Sequence, residues 1–219
     1  MEIKISYQEE LKRKAIHLSS LWMVAATLLL PALFRHGRWI CCLLFAALLI
    51  FTLITEHDYA NGGKYLGRLY GKLFRKMLRK EARPGMWVVS GGAFVLAAGV
   101  LVNLLFAPPT AAAALAVMLI GDTAAALIGR RFGKHPAPNG KSWEGVTAFI
   151  IAGYAALAVT SYCANAAGYT YIAGIPAVIL AAFAELFEKQ LRLDDNFSIP
   201  LCIGVTVAAA EFAVQTIQI

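Results

Sequence analysis

The stretch GDTAAALIGRRFGKHPAPNGKSWEG, residues 121–145, begins inside one apolar run and ends at the head of another. Between them it gathers Asp122, Arg130, Arg131, Lys134 and Lys141, with glycines at 121, 129, 133, 140 and 145. Its upstream half continues an apolar run over 110–128, long enough as a helix to cross the roughly 30 Å of a bilayer's hydrocarbon. Its downstream half is a polar loop closed by Pro136 and Pro138, and a new apolar run starts near 145. A membrane helix ending in a cation-rich loop is therefore the unit from which the fold is read.

The whole chain agrees with that unit. Of its 219 residues, 59% are hydrophobic and only 15% charged, and the mean hydropathy is +0.65. An ordinary soluble domain is about half apolar and a quarter charged. Apolar runs at about 15–34, 39–55, 86–107, 110–128, 145–164, 171–187 and 197–217 predict an all-α, polytopic membrane bundle of about seven helices, forming a single domain over 1–219. APPT at 107–110 breaks the third run from the fourth and makes them a hairpin. The sixth run contains Pro176 and Glu185 and the seventh Glu211; neither acid has a role in this reading. The charged N-terminal segment has no small-residue cleavage site after its first apolar stretch, so the first helix is expected to stay. The four cysteines lack metal-ligand spacing and lie in apolar runs, where Cys behaves as a small hydrophobe.

With the N-terminus inside, 18 of the 20 lysines and arginines fall on cytoplasmic segments, and only Arg35 and Arg38 fall outside. The +7 net charge thus belongs to one face of the membrane. KYLGRLYGKLFRKMLRKEAR, 64–83, alternates apolar and basic sides at helical spacing, as an interfacial amphipathic helix meeting anionic headgroups does. No aromatic stacking platform accompanies these cations, which argues against a nucleic-acid partner.

Gly121, Ala125, Gly129 and Gly133 form a stripe on which another backbone can pack, either within the bundle or at a homodimer seam. Asp122 adjoins the stripe, and an ionisable group inside a span marks a cavity or a functional site. Ser142 is placed as an N-cap, with Glu144 in the following first turn. An acid, several cations, a flexible loop and a helix N-terminus together suit a metal-bound polyphosphate. GKS at 140–142 is not a P-loop, because His135 stands where that motif needs its first glycine and no strand precedes it.

GDTAAALIGRRFGK, followed by a proline and KSWEG, resembles the membrane-embedded CTP-dependent lipid-alcohol kinases: dolichol kinase, phytol kinase and the CTP-using diacylglycerol kinase. ELKRKAIHLSS at 10–20 is similar to the family's amino-terminal element, here Arg13, Lys14 and His17, and DDNFSIPL at 194–201 to its carboxy-terminal element, here Asp195, Asn196 and Pro200. The family is distantly similar to phosphatidate cytidylyltransferases, whose densely acidic terminal signature does not occur here.

The resemblance implies transfer of the γ-phosphoryl group of CTP, with Mg²⁺, to the hydroxyl of a lipid alcohol at the cytoplasmic face. It implies Asp122 and Asp195 as the metal-holding and hydroxyl-orienting acids. His17 stands beside them, and Arg13, Lys14, Gly129, Gly133, Lys134, Lys141, Ser142, Glu144 and Asn196 are the residues around the nucleotide. All three motifs fall on the face that charge alone assigns to the cytoplasm. Formation of a CDP-lipid and a transport role for the intramembrane acids are the alternatives.

Overall fold

The computed structural model describes residues 7–63, 66–74 and 87–217. These form α1 (Tyr7–Ser19), α2 (Trp22–Leu33), α3 (Gly37–Ala60), α4 (Leu66–Phe74), α5 (Gly91–Leu105), α6 (Pro108–Phe132), α7 (Trp143–Cys163), α8 (Gly168–Leu186), α9 (Glu188–Leu191) and α10 (Asp195–Ile217). Six stretches are long and apolar enough to span a bilayer: Tyr7–Leu33 across α1 and α2, then α3, α6, α7, α8 and α10. The chain is an integral membrane protein, and its fold is the expected helical bundle.

The run at 86–107 departs from expectation. Its helix, α5, has 15 residues, about 22 Å at 1.5 Å per residue, which is short for a span. Trp87, Val88 and Val89 are apolar but not helical, and the backbone is still extended at Ser90. The Ser90 hydroxyl caps the helix by accepting from the Ala93 N–H at 3.3 Å, and the Ser90 N–H donates to the buried Glu56 carboxylate at 3.3 Å. Hydropathy counts these residues with the helix; the cap decides otherwise.

α6 is the axis of the bundle. Residues 111–119 are each 2% exposed or less, so the helix is covered on all sides, as an all-round apolar helix must be. α7, α10, α2, α1 and α5 pack around it. The seam with α7 is built by the small-residue stripe. A Cβ at Gly121 would touch the Phe149 ring at 3.2 Å, and one at Gly145 would lie 2.9 Å from the Ala125 carbonyl and 3.3 Å from the Gly129 Cα. Backbones meet there because side chains are absent.

α4 covers the described part of the amphipathic stretch; residues 64, 65 and 75–83 lie outside the described residues. It is pinned to the end of α3, where Gly67 N–H donates to Asp58 Oδ2 at 2.7 Å and Tyr70 OH to Glu56 Oε1 at 3.3 Å. Burial, with the Glu56 carboxylate beside it, pushes the Tyr70 phenol up to about 12, so it remains a donor. Glu56 and Asp58 therefore serve as struts between α3, α4 and α5. At the opposite end of the bundle Arg38 donates to the carbonyls of Asn103 at 2.5 Å and Leu104 at 2.6 Å, closing the carboxy-terminal end of α5.

The seam makes a stability prediction. Gly145→Val should lower stability in detergent by about 1–3 kcal/mol, read as a fall in thermal midpoint, whereas Gly168→Ala, where a Cβ meets nothing within 4 Å, should be near neutral. Equal midpoints for Gly145→Val and wild type would contradict the close α6–α7 approach.

Candidate active site

Asp122 sits on α6 two-thirds of the way along an apolar helix, and such a carboxylate needs a partner. α1 supplies it. Lys14 Nζ, 2% exposed, lies 2.5 Å from Asp122 Oδ2, and His17 Nε2 lies 3.4 Å from the same oxygen. Lys14 and His17 are three residues apart on α1, so one helical face presents both. The buried His17 Nε2 has no hydrogen-bond partner among the described residues. Glu10, 1% exposed, pairs with Arg13 on its own helix and with Arg130 Nη2 at 3.2 Å, which ties α1 to the far end of α6.

Two further acids converge on Asp122. Glu185, in the last turn of α8, and Asp195, in the first turn of α10, are both buried, and with Asp122 they offer oxygens lying within 4.8 Å of one another. The α10 dipole favours Asp195; the α8 dipole opposes Glu185. Lys141 offsets that cost: its ammonium lies 2.7 Å from Glu185 Oε1 and 3.7 Å from Glu188 Oε2, and it also donates to the Glu185 carbonyl. Two ammonium groups thus face three carboxylates, and the donor set is entirely hard oxygen. That is the chemistry of a Mg²⁺ or Ca²⁺ site, and among the described residues these three acids could hold such an ion.

The loop between α6 and α7 is a strap over this site. Ala137 N–H donates to the Lys141 carbonyl at 2.9 Å and Trp143 N–H to that of His135 at 3.0 Å. Glu144 accepts from His135 N–H at 3.2 Å and pairs with its ring at 2.7 Å. Asn139, at φ 61°, and Gly140, at φ 75°, turn the tip. There the Asn139 amide donates to the Leu186 carbonyl at 2.7 Å. The tip therefore satisfies the carbonyls that α8 leaves open at its end.

The residues expected around the nucleotide divide accordingly. Arg13, Lys14, His17, Asp122, Lys141, Asp195 and Asn196 come together, with Asn196 Nδ2 donating to Asp195 Oδ1 at 3.1 Å and Asp194 Oδ1 at 2.7 Å. Ser142 caps α7 by accepting from Gly145 N–H at 3.2 Å. Gly129 and Gly133 pack against Ser142, and a Cβ at Gly133 would lie 2.8 Å from its Cβ and Oγ. Lys134 and Arg131 stay exposed. Glu185 is the residue that sequence reasoning left without a role; its one signal was an acid inside an apolar run. A cavity of about 910 Å³ opens from Arg13, His17, Asp195 and Asn196 and continues between apolar walls that include Met23, Leu48, Val95 and Leu96.

Removing Lys14 leaves Asp122 buried without its ammonium partner, with only His17 Nε2 near the same oxygen. Lys14→Met should cost about 3–5 kcal/mol in an unfolding titration, and Lys14→Met combined with Asp122→Asn should recover most of it. A single variant as stable as wild type would contradict the pair.

Comparisons with known proteins follow the same lines. A protein of Rickettsia prowazekii of no described activity is 29% identical over 201 residues, covering 90% of this chain and 94% of its own. The phytol kinase of Synechocystis is 32% identical over 126 residues, covering 54% of this chain and 53% of the kinase. A Methanocaldococcus jannaschii protein is 30% identical over 118 residues, covering 53% of this chain and 57% of its own. No solved structure gives a significant match. The model of the cytidylyltransferase family matches residues 3–191, which takes in α1, the α6–α7 strap and Glu185, and the chain belongs to that family.

Proposed function

We propose that this protein is a lipid kinase of the membrane that transfers the γ-phosphoryl group of CTP to the hydroxyl of a lipid alcohol, with the site facing the cytoplasm. The observation that carries this reading is the set Asp122, Glu185 and Asp195, buried within 4.8 Å of one another at the polar end of a cavity with apolar walls. The motif resemblance and the phytol kinase relative support an alcohol acceptor. The basic residues gathered at this end of the bundle support the cytoplasmic orientation.

In this reading the alcohol oxygen attacks the γ-phosphorus, the bond from that phosphorus to the bridging oxygen breaks, and CDP leaves. Protein covalent chemistry has little part in such a transfer; positioning and charge dominate. Asp122, Glu185 and Asp195 would hold Mg²⁺, which when bound neutralises charge on the phosphates. Asp195 also borders the cavity, so it is placed to orient the hydroxyl. His17 Nε2, buried and without a hydrogen-bond partner among the described residues, is placed to take the hydroxyl proton. Lys14 holds Asp122, and Lys141 holds Glu185. Arg13 at the cavity mouth and the exposed Lys134 and Arg131 supply cations for the triphosphate. The polar strap keeps its own roots rigid through Ser142, Glu144, Gly129 and Gly133.

The family match favours one second reading, formation of a CDP-lipid from phosphatidate. Products separate the two. With CTP labelled at the γ-phosphate and Mg²⁺, the kinase reading predicts label in the lipid and release of CDP; label only in pyrophosphate, with a CDP-lipid made from phosphatidate, would replace it. Asp122→Asn, less stable than wild type because Lys14 loses its counter-charge, and Glu185→Gln should both still insert but lose roughly 10²–10³-fold in turnover. EDTA should abolish transfer and Mg²⁺ restore it. Wild-type turnover in either variant would contradict the role given to that acid.

A further inference from the structure

α1 packs on α6, α3 packs on α5 and α4, and α2 packs on α3, where Trp22 meets the Phe45 ring edge-on at 5.5 Å. Beyond that contact, toward α1 and α4, the facing sides of α1–α2 and α3–α4 border the 910 Å³ cavity, a volume within the range of small-ligand sites. Its lining changes character with depth. Arg13, His17, Asp195 and Asn196 form the polar end, Ser20, Thr52 and Thr55 the next level, and Met23, Leu48 and Leu96 the deepest. From Thr55 to Leu48 the wall of α3 descends two turns, about 10 Å.

The deep end is closed. Met23 is 1% exposed, and its methyl lies where a Cβ on Gly99 would be, 2.4 Å away, with the Phe45 ring at 3.0 Å. One turn beyond Gly99 on α5, Asn103 donates to Thr27 at 3.1 Å and binds α5 to α2. The side is open: Ile16 and Trp22 on one rim, Phe51 and Leu69 on the other, line the cavity and are exposed. An apolar rim at this level of a membrane bundle faces acyl chains.

We propose that the gap between α1–α2 and α3–α4 is a lateral port that admits one lipid tail from the adjoining leaflet, passing between Trp22 and Phe51 and carrying the hydroxyl to Asp195 and His17. The port rests on the reading of the acceptor as a lipid alcohol, and it adds where selectivity lies. The confined depth holds only the part of the tail nearest the hydroxyl, over the Met23 floor, and the remainder stays in the bilayer. Distal tail length is therefore tolerated, whereas bulk near the hydroxyl is not.

Thr52 stands in the wall of the port, and its hydroxyl donates only to its own helix, to the Leu48 carbonyl at 2.8 Å. Thr52→Trp should raise the KM for phytol and for the shorter geraniol alike by about tenfold or more, since the two share the part of the tail nearest the hydroxyl, with the KM for CTP unchanged; Leu48→Phe should do the same more weakly. Phytol kinetics unchanged in both variants would overturn the port, as would a KM for CTP raised in parallel, which would place the block at the reacting end.

A second readout needs no turnover. A single-tailed alcohol carrying a diazirine near its hydroxyl, added to nanodiscs without CTP, should label Trp22, Phe51 and Leu69 in wild type and lose that labelling in Thr52→Trp. Label confined to the outer faces of α7 and α8 would overturn the port. If the wild-type protein phosphorylates no alcohol, the kinase reading fails and the photolabel alone decides the port.

Discussion

A carboxylate in the middle of an apolar helix cannot be left unpaired, and most of this structure can be derived from that constraint on Asp122. Its partner Lys14 comes from α1, so α1 docks on α6 before the chain turns into α2 at Ser20 and Leu21. Breaking such a pair costs several kcal/mol, because the remaining charge stays buried. With His17 on the same face of α1, the pair sets the level in the bundle at which α8 and α10 deliver Glu185 and Asp195.

Around that level the molecule separates rigidity from access. The α6–α7 seam has backbone against backbone at Ala125, Gly129 and Gly145, and the strap from α6 to α7 ends by satisfying the last carbonyls of α8 through Asn139 and Lys141. Those contacts hold two of the three acids with no freedom to spare. On the other side, α3, α4 and the extended entry to α5 enclose space, kept apart by Glu56 bridging Tyr70 and Ser90. A wall that is firm on one side and hollow on the other suits a reaction between a fixed polyphosphate and an acceptor arriving through lipid.

Much of this was legible in the sequence. Apolar run length located α3, α6, α7, α8 and α10 to within about five residues at each end, since crossing hydrocarbon leaves few solutions, whereas the first spanning stretch, Tyr7–Leu33, starts well before its apolar run because α1 carries charge. Asp122 was legible because a charge within a span is rare; Arg13, Lys14 and His17 were singled out by the motif resemblance, since basic residues beside a first span are ordinary. Three things were not. α5 is shorter than its apolar run because Trp87, Val88 and Val89 were counted by hydropathy, while the cap at Ser90 lies beyond what a hydropathy window senses. Glu185 matched no motif, and only the convergence of α8 with α6 and α10 shows its partners. For Gly129, Gly133 and Ser142 the packing stripe and the N-cap were legible, and the structure shows both; whether they also meet a phosphate was not, because a close helix seam and a phosphate cradle select the same small residues.

The central claim is that Asp122, Glu185 and Asp195 together make a divalent-cation site. Titrating Mn²⁺ into the detergent-purified protein, with the free ion counted by electron paramagnetic resonance, tests it without any substrate. The account predicts a Mn²⁺ site that Mg²⁺ displaces and that Glu185→Gln and Asp195→Asn each weaken strongly, while Glu211→Gln leaves it intact. Mn²⁺ binding unaltered by Glu185→Gln and Asp195→Asn would contradict it.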